Sequence, residues 1–140
     1  MIRISVGLIC VMLLCCQSVQ AEINDERAHS NYQIFCQGCH SPKGDGNGGV
    51  PQMKGLVGHF LKSTQGREYL VQVPGSANSA LDNEQLAEVL NWIIKNFADD
   101  SAPADWRRYS AEEVEVLRQS PLLEVVAFRK NLIDGLPVKN

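Results

Sequence analysis

The sequence predicts an all-α protein: a small helical domain over residues 22–100, followed by a two-helix C-terminal extension over residues 101–140. Three observations carry that expectation. Apolar residues recur at helical spacing in several separate stretches. Residues that cap helix N-termini stand just before those stretches. Alternating apolar and polar runs, the mark of half-buried strands, are nearly absent. A chain of 140 residues has room for one domain, or one small domain with an appendage.

Residues 1–21 read as a cleavable secretory signal. Arg3 supplies the positive start, Ile4 to Cys16 is an uncharged apolar run, and Val19-Gln20-Ala21 offers small residues before a cut. An uncleaved anchor is the alternative, but the run is short for a bilayer crossing, and Gln17, Ser18 and Gln20 already favour water. A lipoprotein signal would want a small residue before Cys15, where Leu14 stands. Cleavage after Ala21 implies a periplasmic chain with no membrane span. It also removes Cys10, Cys15 and Cys16, so the mature chain keeps only Cys36 and Cys39. Losing Arg3 makes the formal charge of −3 one unit more negative. Arg107 and Arg108 form only a doublet, so no nucleic-acid partner is expected.

Residues 22–40 predict the first helix, ending in the Cys pair. Asn24 caps it, and Asp25 and Glu26 sit in the first turn, where the helix dipole favours negative charge. Ala28, Tyr32, Phe35 and Cys39 fall on one face. Ser41 to Gly49 is loop, with Pro42 and glycines at 44, 46, 48 and 49. Residues 67–73 predict a short helix that stops at Pro74-Gly75. The clearest helix covers 83–97: Asp82 caps it, Gln85 takes the capping-box position, and Leu86, Val89, Leu90, Ile93, Ile94 and Phe97 form one stripe. Asp99 to Asp105 reads as a linker.

In the extension, Ser110 with Glu113 opens one helix, and Ser120 with Pro121 opens another that reaches about Ile133. Val114, Leu117, Leu122, Leu123, Val126, Phe128 and Ile133 require burial, because two short helices are not stable alone in water. Either they wrap the preceding domain, or they dock a partner. In the second case Arg107, Arg108, Arg118, Arg129 and Lys130 would lend a positive patch to an acidic chain.

The chemistry concentrates in Cys36-Gln37-Gly38-Cys39-His40, the signature of c-type haem attachment. An exported chain with one close Cys pair has no disulfide framework, so the pair serves another purpose. Two thiols one helical turn apart match the two vinyl groups along a porphyrin edge. The adjacent imidazole then ligates iron from below as the proximal donor. A thioredoxin-like dithiol would need a strand before the motif. Zinc would have to recruit His59 beside the awkwardly adjacent Cys39 and His40, with a second ligand pair missing. The glycine loop at Asp45-Gly46-Asn47-Gly48 imitates a calcium loop, but Leu56 occupies its twelfth position. It also lacks the Lys-Ser/Thr pair of a phosphate loop.

Over about residues 24–98 the chain resembles the class I cytochromes c. The features are Tyr32 one turn before the motif, the motif, a Pro-containing loop, a short middle helix and a last amphipathic helix bearing Trp92. Pro51-Gln52-Met53-Lys54-Gly55-Leu56-Val57-Gly58 is similar to the family segment Pro-x-Leu-x-Gly-Leu-x-Gly. The resemblance implies one covalent haem c, a helical fold in which first and last helices cross, and a Pro51 carbonyl that orients His40. It also implies that Met53 packs against the proximal face and that His59 approaches a propionate. The family's distal Met is not matched: Pro74-Gly75-Ser76-Ala77-Asn78 fills its place, with Asn78 at the ligand position. His59 and Met53 therefore stand as weak candidates for the distal ligand, beside an open or partner-completed iron.

Two function classes follow. The first is a periplasmic electron carrier without enzymatic activity of its own, or the cytochrome subunit of an oxidoreductase, working with a redox partner such as a periplasmic dehydrogenase or oxidase. The second is a haem protein with an open distal position that takes a small ligand, as a gas sensor or weak peroxidase.

Overall fold

In the computed structural model, which describes residues 24–136, Asn24 accepts a hydrogen bond from the Arg27 N–H at 3.0 Å and starts helix α1 (Asp25–Phe35). The expected signal segment lies outside the described residues. Among the described residues there is no strand; the helices follow in the order α1, α2 (Gln37–His40), α3 (Thr64–Gln72), α4 (Pro74–Ala77), α5 (Asn83–Phe97), α6 (Ala111–Leu117) and α7 (Val125–Asp134). Short 3₁₀ segments cover Val57–Lys62 and Asp99–Ser101. The all-α class read from the sequence is the class observed.

Helix α5 is the centre of the structure. Asp82 and Gln85 form the complete capping box, with bonds of 2.8 and 3.2 Å. The stripe of Leu86, Val89, Leu90, Ile93, Ile94 and Phe97 is buried along its whole length. Each such side chain contributes about 1.5–3 kcal/mol through burial. Helix α1 lies against it, held by Ala28 and Tyr32, and Arg27 reaches across to Glu84 and Glu88. Gly44 permits the close approach of the following loop: its φ is +73°, and a Cβ there would lie 2.9 Å from the Phe97 ring.

Several boundaries differ from the sequence expectation. The 22–40 helix breaks at Cys36, whose φ of −124° separates α1 from α2. The middle helix begins at Thr64 rather than 67, because Ser63 accepts the Gly66 N–H at 3.0 Å. The last helix starts at Val125, not Pro121, and Ser120 does not cap it. The Leu122 N–H is committed instead to the Gln72 carbonyl at 2.9 Å, which holds the stretch of chain before α7 out of helical form.

The extension packs on the rest of the chain. Tyr109 and Val114 are buried, and Leu117, Leu122, Phe128 and Ile133 are partly buried against the same core. Leu123 and Val126, expected to be covered, are 92% and 85% exposed. The edge of α7 that meets the domain carries Val125 and Phe128, which turns Val126 outward. The expected positive patch is also depleted. Arg118 donates to the carbonyls of Ala77, Ser79 and Leu81, Arg107 pairs with Glu113, and Lys130 pairs with Asp134.

Candidate functional site

Tyr32 connects the hydrophobic core to the Cys36-to-His40 motif. Its side chain is wholly buried, with its ring 5.1 Å from Trp92 and 5.4 Å from Phe97. Its carbonyl accepts the Cys36 N–H at 2.9 Å, and its hydroxyl donates to the Ser41 carbonyl. The motif is thus gripped at both ends by one core residue. Ser41 leaves α2 with φ +64° and ψ 163°, a region that costs a non-glycine residue on the order of 1 kcal/mol. Its Oγ accepts the Asp45 N–H at 3.0 Å, which turns the chain into the glycine loop.

That loop returns beneath the motif. Gly46 donates to the His40 carbonyl at 3.2 Å, Met53 to the Gly44 carbonyl at 2.7 Å, and Gly55 to the Phe97 carbonyl at 2.7 Å. The result is an apolar cleft. Its lining includes Phe35, Cys36, Cys39, His40, Pro51 and Met53 from the motif and the loop after it. It also includes Phe60, Tyr69 and Leu70, Gly75, Ser76 and Ser79, four residues of the α5 stripe (Leu86, Val89, Leu90 and Ile93), and Val125 and Arg129 from α7. Of the residues singled out from the sequence, Cys36, Cys39, His40 and Met53 come together here. His59 does not line the cleft; its Nδ1 lies 3.0 Å from Lys62 Nζ. Asn78 is exposed and also lies outside the lining.

The electrostatics distinguish the possible uses of the Cys pair. Burial, with Cys39 nearby, pushes the Cys36 thiol up to about 11. A redox dithiol requires the opposite shift, so the thioredoxin reading has no support in the site. Among the described residues no three of His, Cys, Asp and Glu gather to hold a metal ion by themselves, so the zinc reading lacks its donor set. The His40 imidazole is held below its ordinary pKa by burial, against an opposing effect of the Pro51 backbone. Its Nδ1 is nonetheless buried without a hydrogen bond of good geometry. A neutral imidazole, two thiols and a slot lined by aliphatic and aromatic groups fit a flat metallo-macrocycle that brings its own four in-plane donors.

Sequence reasoning missed several residues that shape this site. Arg118 clamps the turn at 77–81 through its guanidinium, with a further bond of 3.0 Å to Asn83. Arg67 chelates Glu113 at 2.6 and 2.8 Å, stacks 4.0 Å over Tyr109, and receives the Tyr109 hydroxyl on its carbonyl at 2.7 Å. Asn91 and Tyr109 exchange bonds of 2.8 and 3.0 Å. Only the capping position of Glu113 carried any local signal, and that carboxylate turns to Arg67 instead of back to its own helix.

No protein-family model matches the chain, and no solved structure matches it. Two curated relatives do, both named cytochrome c-552 and both from Thermus thermophilus. Each is 33% identical over 118 residues, covering 69% of this chain and 90% and 80% of the respective relative. Agreement over most of the relatives' length, on an all-α frame that gathers a Cys-x-x-Cys-His motif at an apolar slot, leaves one assignment: this chain belongs to the class I c-type cytochromes, whose cofactor is a covalently attached haem c.

Proposed function

We propose that the chain is an exported monohaem electron carrier in which Cys36 and Cys39 bind the haem vinyl groups and His40 ligates the iron. The observation that carries the reading is the apolar cleft whose lining holds both cysteines and a half-buried imidazole. Haem supplies a one-electron couple whose potential follows from axial ligation and burial. The protein's own part is to hold the imidazole neutral, exclude water with the α5 stripe, and leave an edge accessible beside the exposed Cys39. The partner is a redox protein of the periplasm, of the dehydrogenase or oxidase kind, and the signal segment at 1–21 supports export. No helix among the described residues is long and apolar enough to cross a membrane.

The test is covalent retention. Protein matured with a cytochrome assembly system keeps its haem stain on a denaturing gel, and the double variant Cys36→Ser/Cys39→Ser loses it. A stained double variant would sink the assignment. The second reading, a haem that takes a small ligand, is favoured by the lining itself: beyond His40, Met53 is its one histidine or methionine.

A further inference from the structure

We infer that Arg129, carried into the cleft by α7, is the residue that selects a small anion as an exogenous ligand of the haem iron; this rests on the haem reading above. The donor inventory comes first. The Met53 backbone is fixed, since its N–H bonds the Gly44 carbonyl and its carbonyl accepts the Leu56 and Val57 N–H groups. The turn after α3 offers Gly75, Ser76 and Ser79, and the Ser79 hydroxyl is spent on the Ser76 carbonyl at 2.9 Å. An iron that takes no second donor from this lining is open to an added anion.

The charge comes second. Arg129 is half-buried, and among the described residues its side chain makes no hydrogen bond or ion pair. Arg118, Arg107 and Lys130 of the same extension are all engaged with protein oxygens. A guanidinium drawn partly out of water beside an apolar slot is costly until an anion meets it. Its placement is built: the Phe128 ring stacks on Tyr69 at 6.1 Å, and the bond from Leu122 to Gln72 anchors the approach to α7. Tyr69 and Arg129 both line the cleft, and the Arg129 charge opposes the upward push that burial gives the Tyr69 pKa. A small anion held at the iron and also accepting from Arg129 satisfies both groups, whether through one atom, as fluoride, or through two, as azide. A propionate of the haem is the other anion source for the same guanidinium.

The experiment uses the full-length holoprotein with its haem attached. Azide and fluoride are titrated into the ferric form, carbon monoxide into the ferrous form, and the Soret band is followed. Wild type binds both anions; R129Q weakens them by about tenfold or more, R129K recovers part of the loss, and carbon monoxide affinity moves by less than about twofold. Covalently attached haem that ignores azide and fluoride overturns the inference while leaving the haem reading intact. Unchanged anion affinity in R129Q with a shifted reduction potential also overturns it, and gives the guanidinium to the propionate. A wild-type protein without covalent haem overturns both.

Discussion

Tyr32 shows how much of the site hangs on one side chain. It is buried at the crossing of α1 and α5, and its backbone and hydroxyl hold the residues on either side of the Cys36-to-His40 motif. Burial, with Cys36 and Asp45 adding, pushes its phenol up to about 12, so the hydroxyl remains a donor throughout the neutral range. Replacing it with Phe keeps the ring packing against Trp92 and Phe97 but strands the Ser41 carbonyl. The expected cost is about 1–2 kcal/mol, read as a lower melting temperature, with the haem still covalently bound. An unchanged melting temperature would show that the hydroxyl contributes nothing. The neighbouring Ser41 is the other residue under constraint, because it bends the chain in a backbone region that glycine occupies without penalty. These two residues explain why the motif is presented in a fixed orientation although α2 is a single turn.

At the scale of elements, the join between α3 and α6 depends on an ion pair. Burial works to raise the Glu113 pKa, but the hydrogen bonds and charge of Arg67, with Arg107 adding, hold it below the ordinary value. A folded-state pKa below the unfolded one means stability that is fully present above the ordinary carboxylate pKa and lost as pH falls through the depressed value. Glu113→Gln is therefore expected to cost about 2 kcal/mol at neutral pH and progressively less in acid, in denaturant melts across pH. A gap independent of pH would refute the linkage. The elements also show what was legible in the sequence. Helix α5 was legible to the residue, since its capping box and stripe are local signals. The Cys-x-x-Cys-His spacing was legible for the same reason. The start of α7 was not, because a bond to Gln72, far away in the chain, decides it. Nor were the roles of Arg118 and Arg129: a long cation reads as surface, and the carbonyls or the cleft it meets leave no mark on its own neighbourhood.

For the whole molecule, the extension and the cleft are parts of one structure. Residues from 101 onward bury Tyr109 and Val114 beside α5, tie Arg67 to Glu113, and send Arg118 into the turn at 77–81. Helix α7 then supplies Val125 and Arg129 to the cleft lining. Truncation after Asp100 exposes the α5 flank, leaves Asn91 without its buried partner, and frees the 77–81 turn. Those losses predict a melting temperature lower by more than about 10 °C for the shortened holoprotein. The truncated form also uncovers part of the slot, so its haem is expected to react faster with external ligands. If it melts like the full chain but loses salt-dependent electron transfer, the extension is a docking surface and its packing is incidental. The distribution of its charges argues against that outcome. Of the five cations expected to form a positive face, Arg107 and Lys130 pair with carboxylates, Arg118 with backbone carbonyls, and Arg129 lines the cleft, leaving only Arg108 to act at a distance.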